Sequence, residues 1–384
     1  MAGPLKGIRI IEFAGIGPAP FCGMMLADHG ADVIRIERPS VLTAHLPHAQ
    51  LKPVDALARS RRSITLDMKK PAAVAVAKAL CTSADGMIEG YRPGVMERLG
   101  LGPEVLLAAN PKLIYGRMTG WGQFGPYAQA AGHDINYIAL SGVLHTIGVA
   151  GQKPVPPVNY IGDFGGGGMM LAYGMVAALL GVKLGQPGQV IDCAMTEGSA
   201  LLASMTFSAL EGGWTEDRAG VNRLDGGAHF YDTYETSDGK YIALGAIEPQ
   251  FYALFRELTG LTDDSAFDDQ LNKANWPALK VRLAALFKTR TRDDWCALME
   301  MTDVCFAPVL SMVEAKVHPH NVARGTFVDV GGWQQPSPAP RYSVTANDTP
   351  RNAPKAGVDS DALLAEIGYD ATTIAALRSA GVLG

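Results

Sequence analysis

The sequence predicts an α/β protein with a large parallel-sheet domain and a smaller α+β domain. Through the first half of the chain, apolar segments of strand length alternate with segments of helix length, as in repeated βαβ units. The composition changes after Trp214, where a hairpin signal and several helical segments follow. With 384 residues, of which 48% are hydrophobic, the chain is long and apolar enough for two cores.

The large domain is expected at residues 1–225, completed by residues 322–384. Its strands are short apolar runs, at 8–13, 32–37, 63–68, 86–90, 113–119 and 189–195. Its helices are the segments between and after these strands, at 21–29, 71–80, around Arg98, at 163–184 and at 197–210. The alternation predicts one parallel sheet, in which the carboxyl ends of the strands share one edge.

The loop after the first strand resembles the glycine-rich turn of a dinucleotide site. It reads Gly15-Ile16-Gly17-Pro18-Ala19-Pro20, and Glu37 stands where an acid would hold a ribose. The third glycine of that pattern is missing, because Pro20 occupies its place, and Arg38 follows Glu37 directly. The sequence therefore disfavours a nicotinamide-binding site.

The smaller domain is expected at residues 226–321. Two strand segments flank the turn Ser237-Asp238-Gly239, which predicts a hairpin. The remaining elements expected up to the C-terminus are a helix opened by Glu248, helices within 276–301, strands at 306–310 and 326–330, and two short helices within 361–380. Residues 332–354 are polar and rich in proline, which predicts a linker.

Composition excludes several classes of protein. The net charge of −5 argues against a nucleic-acid binder. The five cysteines are scattered without a CxxC pair, so neither a zinc site nor a redox pair is signalled, and a reducing cytoplasm is expected. The N-terminus lacks the apolar core of a signal peptide. The apolar run at 165–182 is short for a membrane span, so a buried core helix is the preferred interpretation.

Two short stretches carry the candidate chemistry. They are Gly132-His133-Asp134-Ile135-Asn136-Tyr137 and Asn159-Tyr160-Ile161-Gly162-Asp163-Phe164, and the second continues into four glycines, Gly165 to Gly168. Each stretch ends a loop and opens an apolar helical segment, where unpaired N–H groups create a positive field. His133 and Asp163 are therefore the candidate proton carriers.

Simpler explanations exist for each feature. Asp163 would also serve as a plain helix cap, and His133 as a structural histidine behind Tyr137. Four consecutive glycines are costly in a helix, at roughly 0.5–1 kcal/mol each. They allow close approach either by a ligand or by another helix, and the sequence does not decide between these two.

Basic residues recur near the strand-to-helix junctions of the large domain. A polyphosphate bound at the carboxyl edge of the sheet would need such cations. A solvated basic face is the alternative for any single residue. The residues concerned are Arg38, Lys52, Arg59, Arg61, Arg62, Lys69, Lys70, Arg92 and Arg98.

Nearly from end to end, the chain resembles the family III coenzyme A transferases, and within them the branch that racemises 2-methylacyl-CoA thioesters. The first two of the following motifs occur across the superfamily, and the third and fourth together mark the racemase branch. The motifs are Ile88-Glu89-Gly90-Tyr91-Arg92-Pro93-Gly94, Met118-Thr119-Gly120-Trp121-Gly122-Gln123, Gly132 to Tyr137, Gly162 to Gly167, and Gly245-Ala246-Ile247-Glu248-Pro249-Gln250-Phe251.

The resemblance implies a Rossmann-like large domain and an interlocked homodimer, with the site between one chain's large domain and the other's small domain. It implies that His133 and Asp163 are the two bases, and that Asp134 and Glu248 support the hydrogen bonds of the histidine. Residues implied to hold the CoA thioester are Arg38, Leu66, Asp67, Met68, Lys69, Gly90, Tyr91, Arg92, Arg98, Gly132, Asn136 and Tyr137.

The implied chemistry suits these residue types. A thioester acidifies its α-hydrogen, and racemisation needs one base on each face of the α-carbon. The enolate oxygen also needs hydrogen-bond donors, for which we expect the backbone N–H groups beginning at Asp163. No metal or redox cofactor is expected, because coenzyme A is part of the substrate.

Two alternatives remain. In a CoA transferase, Asp163 would attack the thioester as a nucleophile, and an aromatic residue usually stands where this chain has His133. A catalytically silent acyl-CoA-binding protein is the other, which the intact pair of His133 and Asp163 disfavours.

Overall fold

The structure is a computed structural model that describes residues 2–39 and 54–384. Lys52, one of the predicted cations, lies outside these residues. The chain forms two compact units. Met1–Ser141, Val158–Leu202 and Gly325–Gly384 make up the first, and Gly142–Pro157 and Ala203–Arg324 the second. The predicted domain boundary at residue 226 falls inside the second unit.

The first unit contains a six-stranded parallel sheet, as predicted. Its strands are β1 (Arg9–Phe13), β2 (Asp32–Glu37), β3 (Arg62–Thr65), β4 (Gly86–Glu89), β5 (Ile114–Thr119) and β6 (Gln189–Ala194). They lie in the order β3-β2-β1-β4-β5-β6. The order reverses between β1 and β4, so the loops that leave these two strands diverge and open a crevice.

The central strands β1 and β4 are buried on both faces of the sheet, which explains why they are apolar runs, whereas the edge strand β6 is mostly exposed. Ile10 of β1 pairs with Val33 of β2, and Ile11 pairs with Ile34. Ile10 and Val33 belong to one core, and Ile11 and Ile34 to another. Helices cover each face, as in other parallel sheets.

The helices of the first unit mostly follow the strands that precede them. They are α1 (Pro18–Asp28), α2 (Pro71–Thr82), α3 (Val95–Arg98), α4 (Pro103–Ala109), α5 (Asp134–Leu140), a π-helix (Tyr160–Met169), α6 (Met170–Lys183) and α7 (Met195–Leu202). A short 3₁₀ turn also lies at Ala56–Ala58.

The start of α1 differs from the sequence prediction. We expected a loop as far as Pro20, but the helix begins at Pro18. Proline suits the first turn of a helix, because the N–H that it lacks would have no intrahelical acceptor there. The two prolines therefore open the helix and do not prolong the loop.

The glycine run serves close helix packing, which decides between the two explanations left open by the sequence. A Cβ atom added to Gly166 would lie 2.6 Å from the backbone nitrogen of Ser199 in α7. One added to Gly168 would lie 2.6 Å from the carbonyl oxygen of Pro18 in α1. Side chains at these positions would force the π-helix away from α1 and α7.

The second unit is α+β and has its own core. Its strands β7 (Tyr231–Glu235), β8 (Tyr241–Gly245) and β9 (Phe306–Val309) form an antiparallel sheet in that order, which includes the predicted hairpin. Its helices are α8 (Ser204–Glu211), α9 (Pro249–Thr259), α10 (Trp276–Phe287), α11 (Arg292–Met299), α12 (Met312–Val317) and α13 (Pro319–Arg324). Shorter 3₁₀ turns lie at Val143–Thr146 and Ser265–Phe267. The helix predicted at 197–210 is thus two helices, α7 and α8, in different units.

The C-terminal segment returns to the first unit. It contains the strand pair β10 (Phe327–Asp329) and β11 (Gln334–Pro336), then α14 (Ser360–Glu366) and α15 (Ala371–Ser379). The prediction of a linker at residues 332–354 is wrong at β11, because Gln335 in this strand is buried. Arg59 donates to the carbonyl oxygen of Pro336 at 2.7 Å and pairs with Asp28 of α1. This contact fixes β11 to the first unit.

Among the described residues, one helical stretch, Tyr160–Lys183, is long and apolar enough to cross a membrane by length and composition alone. Its first half packs between α1 and α7 and carries Asp163. These contacts agree with the predicted core helix in its first half, whereas Tyr173, Val176 and Leu180 in the second half are exposed.

Candidate active site

A cavity of about 680 Å³ lies in the first unit at the crevice between β1 and β4. Its walls come from the loop after β1, the loop after β4, the end of β5 and the segment that leads into α5. The residues predicted from sequence that line it are Gly90, Tyr91, Arg92, Gly132, His133, Asn136, Tyr137 and Asp163. The fold therefore brings both candidate bases to one cavity.

His133 lines this cavity and is the cap residue that precedes α5. Its backbone N–H donates to Oδ1 of Asn136 at 3.0 Å. Tyr137, one turn further on, packs edge-on against Trp121 and donates its hydroxyl proton to the carbonyl oxygen of Gly132. These contacts hold the loop and leave the imidazole exposed.

Asp163 lies in the first turn of the π-helix. One oxygen of its carboxylate accepts a hydrogen bond from Asn159. Asn159 Nδ2 donates to Oδ2 of Asp163 at 3.0 Å. Burial raises the pKa of Asp163 above its ordinary value, and the negative charge of Asp134 adds to the rise. The Asn159 hydrogen bond and the charge of His133 oppose it. The carboxyl group is thereby a stronger base than a solvated aspartate.

Asp134 contacts Asp163, the second candidate base, and is shielded from solvent. It is 6% exposed, and its Oδ2 accepts the backbone N–H of Asp163 at 2.8 Å. Its Oδ1 is buried without a partner among the described residues. The predicted support of His133 by Asp134 stays a prediction, because the hydrogen bond in the structure goes to Asp163.

The loop after β4 brings a cation to the cavity. Glu89, at the end of β4, accepts the N–H of Tyr91 at 2.8 Å and the Nε–H of Arg117 at 3.0 Å. Burial raises the pKa of Glu89 to about 7, although the Tyr91 and Arg117 contacts oppose this. These bonds fix the loop so that exposed Arg92 lines the cavity next to Tyr91.

The other residues predicted to hold CoA lie outside the cavity wall. Arg38 is exposed, and its charge acts on the phenol of Tyr91, whose pKa burial raises. Leu66 is fully buried in a core, so only its backbone could touch a ligand. Asp67 accepts the N–H of Lys69 at 3.2 Å in a turn that also includes Met68. Arg98 ends α3, and its Nη1 would lie 3.1 Å from a Cβ atom on Gly94.

Glu248 belongs to the second unit, where it caps the start of α9. Its predicted role beside His133 stays a prediction.

Several lining residues were missed as site residues. Gly15, Ile16, Gly17, Pro18 and Ala19 form the wall after β1, and Ile16 is 95% exposed. A sequence signal exists for them, since this glycine-rich loop follows the first strand of the sheet and so lies at its carboxyl edge, but it resembles a dinucleotide fingerprint that the third position rules out. Trp121 and Met195 also line the cavity. Asn159 gave no separate sequence signal for its bond to Asp163.

Within residues 2–39 and 54–384, no group of three or more His, Cys, Asp or Glu side chains is arranged to hold a metal ion.

The geometry defines a doubly wound α/β protein whose switch-point cavity carries an imidazole and a carboxyl group with a raised pKa, close to a cationic loop. Such a site can move a proton next to an anionic ligand. The chain belongs to the family described as CoA-transferase family III, whose profile matches residues 5–360.

Two named proteins and one solved structure are similar to this chain over nearly its whole length. The chain is 44% identical over 378 residues to a Mus musculus protein named alpha-methylacyl-CoA racemase, covering 98% of this chain and 96% of that one. It is 42% identical over 377 residues to the Homo sapiens protein of the same name, with the same coverage. A solved CAIB/BAIF family protein from Brucella suis is 26% identical, with a TM-score of 0.82 over 96% of this chain and 100% of that one.

Proposed function

We propose that this chain is an alpha-methylacyl-CoA racemase that interconverts (2R)- and (2S)-2-methylacyl-CoA thioesters. The observation that carries the proposal is that His133 and Asp163 line one cavity. The names of the two mammalian relatives support the substrate class. We also propose a cytoplasmic enzyme without a metal or redox cofactor.

The proposed mechanism is a 1,1-proton transfer. One base takes the α-proton, and the electron pair of the broken C–H bond moves into the enolate of the thioester. The other base then delivers a proton to the opposite face, and the electron pair returns to the α-carbon. Neutral imidazole with protonated Asp163, or imidazolium with carboxylate, are the two states that the catalyst needs. The raised pKa of Asp163 brings it closer to that of imidazole.

The donor for the enolate oxygen differs from our expectation. The backbone N–H of Asp163 already donates to Asp134, so it is not free for a ligand. At the start of α5, Asn136 and Tyr137 donate their N–H groups to the carbonyl oxygen of His133. The N–H groups of Asp134 and Ile135 have no backbone acceptor among the described residues, and they follow directly on His133, which lines the cavity. We propose them as the donors to the enolate oxygen.

CoA transfer between carboxylates is the second candidate, because the family profile carries that name. Asp163 would then attack the thioester carbonyl and form a mixed anhydride with release of CoA thiolate. The presence of His133 in the same cavity supports racemisation, which needs a second base, whereas this transfer does not.

The test is proton NMR of (2S)-2-methyldodecanoyl-CoA with the protein in D₂O, without any carboxylate acceptor. We expect loss of the α-hydrogen signal and formation of the 2R ester. CoA transfer after addition of free carboxylic acids, without α-exchange, would favour the transferase. CoA-ester binding with neither reaction would favour the silent binding protein.

We further propose that the enzyme is a homodimer. On α6, Tyr173, Val176, Leu180 and, just beyond the helix, Leu184 are exposed at helical spacing, which leaves an apolar face without a partner among the described residues. A second copy is the occupant that we propose, because the family resemblance implies a site completed by Glu248 of the partner subunit.

Mixed dimers test this assembly. His133→Ala and Glu248→Ala chains are co-expressed with different tags, and the mixed species is isolated. A site shared between chains leaves one of two sites intact, so activity should reach about half that of the unmodified dimer. A mixed species no more active than its parents would contradict the shared site, and a fully active monomer would contradict the dimer.

A further inference from the structure

We propose that Asn159 is a positioning residue which, together with Asp134, holds Asp163 so that Oδ1 is the oxygen that exchanges the proton. The inference deepens the proposed racemase function and rests on it for its catalytic meaning.

The first support is that Oδ2 of Asp163 is occupied. Asn159 Nδ2 donates to it at 3.0 Å, from the residue that caps the π-helix. Gly17 lies next to the same oxygen of Asp163. Its φ of 70° would be strained for a residue with a side chain. A Cβ atom on Gly17 would lie 3.1 Å from Oδ2. Glycine at this position therefore lets α1 approach the carboxylate closely.

The second support is that the main chain of Asp163 is fixed independently. Asp134 Oδ2 accepts its N–H at 2.8 Å, and a Cβ atom on Gly162 would lie 2.5 Å from that same oxygen. Glycine at 162 thus lets the carboxylate of α5 reach the π-helix backbone. With backbone and Oδ2 both held, the carboxyl group has one orientation.

Oδ1 of Asp163 is the carboxylate oxygen available for the proton transfer. No described residue donates a hydrogen bond to it, and it does not belong to the buried polar atoms that lack a partner. Since Asp163 lines the cavity, Oδ1 is the carboxylate oxygen open to a ligand there. In one direction it takes the α-proton while the C–H electron pair passes to the enolate. In the other direction its O–H gives the proton back.

The two holding residues act on Asp163 with opposite sign. The Asn159 N–H stabilises the carboxylate, whereas the buried charge of Asp134 destabilises it. The other titratable groups that face Asp163 come from α5, namely His133 and Tyr137. The cavity-lining residues at the start of α1 carry no charge, and Glu197 of α7 acts on Cys193. Burial raises the pKa of Asp163, and Asn159 and Asp134 shift it further in opposite directions.

The test measures the carboxyl titration of Asp163 directly in the substrate-free protein. Carbon-13 NMR of aspartate-labelled protein is recorded across pH, with Asp163→Asn to assign the signal. Asn159→Leu should raise the pKa of Asp163, and Asp134→Asn, which keeps an acceptor for the N–H, should lower it. Shifts of about half a unit or more are expected. An unchanged pKa in Asn159→Leu, or shifts of the same sign in both variants, would overturn the proposal.

Kinetics then tests the catalytic meaning. In D₂O, the pH profile of α-hydrogen loss from the enantiomer served by Asp163 should move with the measured pKa in each variant, with KM little changed. Asn110→Leu is the control, because Asn110 of the same unit bonds the carbonyl oxygens of Thr82 and Ala84 and lies outside the cavity wall. Its profile should match the unmodified protein. If Asn159→Leu does not fold, Asn159→Ser removes the same amide donor with a smaller change.

Failure of the proposed racemase function and failure of the positioning role of Asn159 give different results. Absence of α-exchange in the unmodified protein would remove the racemase function, whereas the titration would still show whether Asn159 and Asp134 set Asp163. Titration shifts as expected without any change in the pH profile would overturn Asp163 as the proton carrier at Oδ1.

Discussion

Gly166 of the π-helix and Gly198 of α7 bring two helix backbones into direct contact. A Cβ atom added to Gly198 would overlap the carbonyl oxygen of Gly166. One added to Gly166 would lie 2.9 Å from the carbonyl carbon of Gly198. This contact sets the position of the helix turn that carries Asp163.

Gly198→Ala should therefore destabilise the first unit and misplace Asp163. Overpacking of this kind costs about 1–3 kcal/mol or more. Urea unfolding gives the stability, and α-hydrogen exchange gives the activity. Gly174→Ala on α6 is the matched control, since its nearest side-chain atom would lie at an ordinary 3.5 Å. It should be neutral or stabilise by about 0.5–1 kcal/mol, and equal losses in both variants would contradict the close-packing role.

Arg61 binds the first turn of α1 through its side chain. Its side chain is fully buried, contacts Glu12 at 3.0 Å and donates to the carbonyl oxygen of Pro20 at 2.6 Å. Arg61→Met should leave the buried Glu12 with only the longer contact to Arg35, at 3.9 Å, and cost about 3–5 kcal/mol in urea unfolding.

Arg62→Met is the control for this pair. Arg62 pairs with Glu366 and, at 3.4 Å, with Asp32, and all three side chains are partly exposed, so its loss should cost about 1 kcal/mol. A cost for Arg61→Met as small as that for Arg62→Met would mean that the buried pair does not stabilise α1.

His229 should make the second unit sensitive to acid. It is fully buried and bonds the hydroxyl of Tyr252 at 2.7 Å. Burial lowers its pKa from 6.5 to about 4. The unfolded chain therefore binds a proton at a pH where the folded chain does not, so stability falls as pH drops from about 6.5 to 4. The loss should reach about 3 kcal/mol.

Fluorescence of Trp276 and Trp295, both buried in the second unit, follows this transition. His229→Gln should flatten the pH dependence of unfolding between these limits. His145→Gln, at an exposed histidine of the same unit, should leave it intact. An equal slope in unmodified protein and His229→Gln would exclude His229 as the cause.

Arg92 should bind the anionic part of the CoA ester. It is exposed in the loop after β4 and lines the cavity. Arg92→Ala should raise KM several-fold with kcat nearly unchanged, because uniform binding is lost. Arg378→Ala, which breaks an exposed pair with Asp361 outside the cavity wall, should leave both constants unchanged. A large fall in kcat with KM constant would contradict a binding role.

Much of the sheet could be predicted from sequence because strands buried on both faces are continuous apolar runs. β1, β2 and β4 stand out in this way, and glycine or proline punctuates them. The start of α1 is hard to predict because proline is common both in loops and in the first turn of a helix, where Pro18 and Pro20 lie. The break between α7 and α8 at Ala203 has no glycine or proline to mark it.

The positions of the two candidate bases at one cavity could be predicted from sequence, whereas most contacts around them could not. His133 and Asp163 stand at helix starts, where local sequence signals are strong. The bond between Asp134 and the N–H of Asp163 joins positions far apart in sequence, so periodicity could not indicate it. The glycine run had two physical explanations, and only the contacts with α1 and α7 decided between them.

Enantiomer-resolved exchange in D₂O is the most direct test of the two-base account. Loss of the α-hydrogen is followed from pure 2R and pure 2S ester with His133→Ala and Asp163→Asn. The account predicts that each variant loses exchange mainly from one enantiomer, and that the two variants lose opposite ones. Equal, mild losses from both enantiomers in either variant would contradict it and remove that residue from the proton transfer.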